Sequence, residues 1–269
     1  NYEVHTADIG DYAEIPEALL GNSRIGEQWY LNTCGIYSGM EELSIPGGSP
    51  TVIVAVIDTG VDYDHQDLAG NIWFNEAETP DNGIDDDENG YIDDYYGVNI
   101  VSGTGNGDDD NGHGTHVAGI VAASLDNRCG GAGIAPGVTI MNIRVFRIAD
   151  WADSFDITCG IEEAVDQGAW IINMSLGSLI QSSLEAEAIA EAIASGVTVV
   201  AAMGNNGSNS VHYPAAVDGV IGVTAVDRSN ERASRDYPLS RCTTLLCYLL
   251  VTTGRASSTE ESNIQSRPT

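Results

Sequence analysis

The chain predicts an α/β fold, a doubly wound parallel sheet with helices on both faces, and three observations predict it. Runs of β-branched residues recur that are too continuous to be strands with one wet face. Segments of helical spacing stand between these runs. The connections joining them are short. Strand and helix in regular alternation with short links build a parallel sheet covered on both sides.

The elements follow in order. Residues 1–50 carry acidic, glycine and proline punctuation and read as a lead-in segment packed around the domain, anchored by Trp29, Tyr30 and Leu31. Thr51 to Ile57 is a strand buried on both faces. An acidic loop runs from Asp62 to Asn111. His113 to Ala123, small and apolar, is a buried helix, and Val138 to Val145 is the next strand. Ser154 to Gln167 is a helix with Ile157, Ile161, Ala164 and Val165 on one face. Trp170 to Met174 is a strand. Ser182 to Ala194 is a helix with Leu184, Ala188, Ala192 and Ile193 in helical spacing and Gly196 just past its end. Val197 to Ala202 and Val220 to Val226 are further strands. The pattern dissolves after Ser234. Residues 235–269 hold a leucine-rich patch and a polar tail rich in arginine, and read as an atypical segment after an incomplete domain at 51–234.

Composition narrows the partners. The formal net charge is -30, and no lysine occurs in the chain. A field of that sign opposes nucleic acid and anionic membranes and suits cations. No segment approaches the ~18 consecutive apolar residues of a membrane span. The five cysteines show no metal-ligand spacing. The chain does not begin with Met and shows no signal peptide, so its N-terminus reads as processed or cut from a longer chain.

Chemistry gathers at strand ends, where open α/β sheets form their sites. Asp58 ends the first strand and precedes Thr59-Gly60. A carboxylate there needs a partner, because desolvating it alone is costly. Read alone it is a cap or turn residue; with an imidazole it is the acid of a catalytic pair. His113 stands at a loop-helix junction, where a base is reachable. His116, at i+3, reads as a structural core histidine, with a His-His metal pair as the alternative. Asn205 follows a strand through Met203-Gly204 and reads either as a turn residue or as an amide donor to an oxyanion.

The loop has its own pattern. Asp85, Asp87, Asn89, Gly90, the Tyr91 carbonyl and Asp93 match positions 1, 3, 5, 6, 7 and 9 of an EF-hand calcium loop. Tyr96 stands where the closing glutamate belongs. The pattern predicts a structural Ca2+ with a further ligand from elsewhere; the alternative is a solvated acidic turn.

Ile57-Asp58-Thr59-Gly60, His113-Gly114-Thr115-His116-Val117-Ala118-Gly119, Asn173-Met174-Ser175-Leu176-Gly177 and Ala202-Met203-Gly204-Asn205 are similar, in order and spacing, to the motifs of the subtilisin-like serine proteases, the subtilases. The resemblance covers Thr51 to Ser234. It implies peptide-bond hydrolysis by an Asp-His-Ser triad, with Asp58 as acid, His113 as base and Asn205 in the oxyanion hole. It implies that Ser175, Leu176 and Gly177 pair with the substrate backbone, and that Ala202, Met203 and Gly204 line a side-chain pocket. It implies Asp67 as a calcium ligand, a peptide or protein substrate, and a secreted, monomeric enzyme whose signal and pro-segment are not in this chain.

The chain departs from the family at the nucleophile. The Gly-Thr-Ser-Met-Ala type of turn that carries it is absent. Ser257 and Ser258 are the nearest candidates, but Thr259-Glu260-Glu261 follow them, not small apolar residues. The expectations are therefore two: a protease whose serine motif this chain lacks, or an inactive, truncated domain that binds calcium or peptide. A nucleotide-binding domain is a weaker third, since no Gly-rich phosphate loop follows the first strand.

Overall fold

A computed structural model describes residues 21–22, 24–33, 36, 47–105, 107–148, 151–205 and 210–225. The segment 235–269, with Ser257 and Ser258, lies outside the described residues. So do Ser234, Cys34, Cys242, Cys247 and the end of the last predicted strand.

Among the described residues the main sheet has six strands: β1 (Ile53–Asp58), β2 (Val98–Asn99), β3 (Thr139–Arg144), β6 (Ile171–Met174), β7 (Thr198–Ala202) and β8 (Ile221–Val223). Their order is β2-β3-β1-β6-β7-β8, and every pairing is parallel. The order steps outward in both directions from β1, the mark of double winding. A small antiparallel ribbon, β4 (Phe146–Ile148) with β5 (Trp151–Ala152), stands apart. The α-helices among the described residues are α1 (Trp29–Thr33), α2 (His113–Ala122), α3 (Ser154–Asp166) and α4 (Ser183–Ala194).

The period of two along each strand divides the core. Ala55, Ile57, Met141, Ile143, Ile172, Met174, Val199 and Ala201 face the side covered by α3 and α4. Val54, Val56, Ile140, Ile171 and Val200 face the side covered by α2. Val54 to Ile57 are all 1% exposed or less, as a continuous apolar run requires. A third cluster joins Ile25, Leu31 and Ile36 to Ile120, Ala132 and Ile134. Leu31 is thus the buried anchor of the lead-in segment, while Trp29 and Tyr30 are half-buried.

The sheet and its covering helices bear out the predicted α/β class. Two local expectations fail. Leu184 is 52% exposed, and α4 instead buries Ala188, Ile189 and Ala192. The start of α4 is placed by Ser182, whose hydroxyl accepts from Glu185 N; that cap rotates Leu184 away from the sheet. His116 is exposed rather than a core histidine, because α2 turns its Val117, Ala118 and Val121 inward. Strand β2 and the β4–β5 ribbon were not legible as strands, being only two or three residues long.

Candidate active site

Strand β1 delivers Asp58 to the carboxyl edge of the sheet, where it is fully buried. Its Oδ1 lies 2.7 Å from His113 Nδ1 and accepts from Thr59 N at 2.7 Å. The imidazole is 29% exposed, so it bridges the buried carboxylate and the surface. Asp58 Oδ2 is buried with no hydrogen-bond partner.

The approach is set by two glycines and a carboxylate. A Cβ on Gly114 would stand 2.1 Å from Gly60 O and 3.1 Å from Asp58 Cβ. Only glycine lets the first turn of α2 come this close to the turn after β1. Gly60 itself has φ +112, and a Cβ there would meet Gly107 O at 2.4 Å.

The four orphan N–H groups that begin any helix are all satisfied here. Gly112 N donates to Asp109 Oδ1, His113 N to Asn111 Oδ1, Gly114 N to Thr59 Oγ1 and Thr115 N to Asp109 Oδ2, while His116 N to Gly112 O is the first bond of the helix itself. Gly112, the residue before the helix, has no side chain to cap it; Asp109, three residues earlier, supplies the acceptor. Its Oδ1 also takes Thr59 Oγ1, Asn111 N and Gly112 N, and its Oδ2 takes Thr115 Oγ1. Burial pushes the Asp109 carboxyl up, but hydrogen bonds from Thr115, Gly112 and Asn111 outweigh it and leave it below its ordinary value. Arg144, opposite Asp58 in the β1–β3 register, donates to Asp108 O and Asp110 Oδ2 and ties down the same loop.

The remaining predicted positions emerge along the same edge. Register pairs Val56 with Asn173 and Asn173 with Val200, so the residues after β1, β6 and β7 leave the sheet side by side. Ser175 Oγ accepts from Asn173 Nδ2 at 3.0 Å, and Leu176 packs partly on the core. Gly177 is exposed, and Ser178 forms an antiparallel bridge with Tyr213. Ala202 is half-buried, and Met203, 51% exposed, donates its N–H to Val223 O. Gly204 has φ +83, and a Cβ there would overlap the His212 ring. Asn205 follows, exposed to solvent.

The acidic loop is laced by carboxylate-to-backbone bonds. Asp85 takes Asn89 N and Gly90 N, and Asp93 takes Asn82 N and Gly83 N. Asn89 Oδ1 accepts Tyr91 N. Asp87 converges instead with Glu78 and Asp94, one carboxylate oxygen of each lying within 4.8 Å of the others. Burial pushes the Asp94 carboxyl up, Asn89 and Asn75 hold it down, and Asp87 and Glu78 push it up again. Asp67, buried, accepts from Asn127 Nδ2, and its backbone carbonyl takes Ser124 N and Oγ.

The chain matches the model of the subtilase family over residues 49–266. It belongs to that family. Subtilisin DY of Bacillus licheniformis is 41% identical over 187 residues, covering 68% of this chain and 59% of that protein. The thermophilic serine proteinase of Bacillus sp. strain AK1 is 39% identical over 187 residues, covering 70% and 41%. Thermitase of Thermoactinomyces vulgaris is 34% identical over 186 residues, covering 67% and 57%. The matched part of this subtilase thus spans three-fifths or less of these relatives. Sequence reasoning missed Thr59, Asp109, Glu78 and Asp94. Asp109 carried a faint signal, as the acid of an Asp-x-Asn-Gly-His turn before a helix. Glu78 carried none, lying seven residues before the acidic run. No helix among the described residues is long and apolar enough to cross a membrane.

Proposed function

We propose that this subtilase is a secreted, monomeric serine endopeptidase, in which Asp58 is the triad acid, His113 the general base and Asn205 an oxyanion donor. The observation that supports this most directly is the 2.7 Å contact between Asp58 Oδ1 and His113 Nδ1. An ionised Asp58 accepts the Nδ1–H, fixes that tautomer and leaves Nε2 as the basic nitrogen. As Nε2 takes the serine proton, the buried carboxylate stabilises the imidazolium. The Asn205 amide, at the edge where the substrate carbonyl would lie, donates to the oxyanion. Ser175 to Gly177 pair with the extended peptide, and Ala202 to Gly204 line the pocket for the side chain before the scissile bond. Asp67 and the loop of Asp85, Asp87, Asn89, Tyr91 and Asp93 would hold structural Ca2+, which would supply positive charge to a strongly acidic domain.

The domain at 51–234 lacks the Gly-Thr-Ser type of motif, and so does the rest of the chain. That favours a second reading, a domain that binds calcium or peptide without turnover. Labelling with a fluorophosphonate decides between them. A chain that labels, and loses labelling in His113→Ala, is an enzyme. A chain that never labels yet binds peptide in a manner dependent on residues 175–177 is the second. Asn205→Ala in an active protein lowers kcat by about 10²–10³, the size seen in subtilisin itself.

A further inference from the structure

We infer that Asn142 is a positioning residue: its buried amide holds the loop into α2 against the turn after β1, and so sets the approach of His113 to Asp58. The inference rests on the reading of those two residues as a catalytic pair and deepens it by naming what keeps them in place.

Asn142 is a polar residue where the core calls for an apolar one. Ile140, Met141 and Ile143 of β3 are each 1% exposed or less, and Asn142 among them is wholly buried. Its Nδ2 donates to Gly107 O at 2.9 Å. Its Oδ1 is buried with no hydrogen-bond partner among the described residues. Turning the amide over would set oxygen against oxygen, so Gly107 fixes which end faces it. A buried acceptor left unmade costs at least as much as one neutral hydrogen bond returns. Stability therefore does not account for an asparagine here.

What the amide holds does account for it. Gly107 O also accepts from Val61 N at 3.2 Å, and it is the atom that a Cβ on Gly60 would meet. One carbonyl thus joins β3, the turn after β1 and the loop into α2. The packing around the side chain is close. A Cβ on Gly107 would stand 2.6 Å from Asn142 Nδ2, and one on Gly97 would stand 2.9 Å from Asn142 Cβ. Two glycines give way to let this amide reach the loop.

Its place along the strand points the same way. Asn142 pairs in register with Val56, and Arg144 with Asp58. Side chains two apart on a strand share a face, here the α2 side on which Ile140 packs. From that face Asn142 takes the carbonyl of Gly107 and Arg144 the carbonyl of Asp108. Asp109 comes next and caps the first turn of α2, which opens on His113. Gly107 is buried and Asp108 exposed, so water can stand in for the Arg144 bond but not for that of Asn142.

The test uses the full chain and follows the ring titration of His113 by NMR, assigned from the spectrum of His113→Gln. Asn142→Val and Asn142→Ala remove the donor and the bare oxygen together. Met141→Ala, on the other face of β3, removes buried bulk without touching the loop. Asp58→Asn gives the titration of the imidazole without its carboxylate. A buried carboxylate at Nδ1 favours the imidazolium, so loosening the contact lowers the midpoint. Both Asn142 variants should lower the His113 midpoint by about one pH unit, a tenfold loss of proton affinity, toward that of Asp58→Asn. Met141→Ala should leave it in place. Asn142→Val should also melt no lower than wild type, a combination that a packing role does not produce. A His113 midpoint unmoved in both Asn142 variants, or moved as far by Met141→Ala, overturns the inference and leaves the catalytic pair standing. An Asp58→Asn chain whose His113 titrates like wild type overturns both.

Discussion

Asp109 is the residue on which the geometry of the site turns, and replacing it with alanine measures that dependence. The carboxylate accepts five hydrogen bonds, from Thr59 Oγ1, Asn111 N, Gly112 N, Thr115 N and Thr115 Oγ1. Each bond to a charged acceptor contributes about 1.5–3 kcal/mol, but the five do not add. Asn111 and Gly112 are exposed and rehydrate when the carboxylate is gone. Thr59 is 3% exposed and Thr115 half-buried, so their groups lose a partner with little water to replace it. Two or three effective bonds, together with the capping that Gly112 cannot provide, give a loss of about 2–4 kcal/mol, against about 1 for an ordinary cap. The pH dependence has a definite sign. The folded carboxyl lies below its ordinary value of 3.8. Its stabilisation is therefore complete above that value and is lost as pH falls through the folded pKa. Urea unfolding followed by tryptophan fluorescence, in wild type and Asp109→Ala from pH 7 to pH 3, should show the full gap at pH 7 and a narrowing below 3.8. A gap under about 1 kcal/mol at pH 7, or one that does not narrow, refutes the argument that this carboxylate holds the first turn of α2 against the turn after β1.

Two glycines of α2 should respond in opposite directions. Gly114→Ala drives a Cβ into Gly60 O and should destabilise by about 3 kcal/mol, whereas Gly119, with nothing within 4 Å, should gain up to about 1 kcal/mol on becoming alanine; thermal melts check both. On α4, Ile189→Ala should lose about 2–5 kcal/mol and Leu184→Ala under about 1, since the first is fully buried and the second 52% exposed; equal losses in urea unfolding count against the observed helix rotation. Burial pushes the Glu185 carboxyl above its ordinary 4.5, against a hydrogen bond from Ser154. The folded state then binds the proton more tightly, so this residue's contribution weakens as pH rises from 4.5 through the raised value. Glu185→Gln keeps the capping geometry and should raise Tm at pH 8 but not at pH 4; a variant that melts lower at pH 8 contradicts this.

Much of the site was legible because its signals are local. An apolar run that stops at Asp58, and a small-residue helix that opens on His113, can each be read within ten residues. The strands were legible because burial on both faces forces a continuous apolar run, and the structure divides that run between α2 on one side and α3 and α4 on the other. Leu184 was misread because helical spacing leaves the rotation of a short helix open by a residue, and the Ser182 cap decided it. His116 was misread for the same reason on α2. Strand β2 escaped because two residues carry no period.

What the sequence determined alone was the kind of sheet and the residue types placed at its carboxyl edge, since side-chain period and strand-end position are properties of neighbours along the chain. What only tertiary structure decided was which distant groups touch. The 2.7 Å contact between residues 55 apart depends on Gly114 nesting against Gly60 and on Asp109 binding both Thr59 and Thr115. Glu78 joins Asp87 and Asp94 only because the loop folds back on itself. Hydrogen bonds and buried charge act through space over a few ångströms, and the order of letters does not reveal which loops will close that distance.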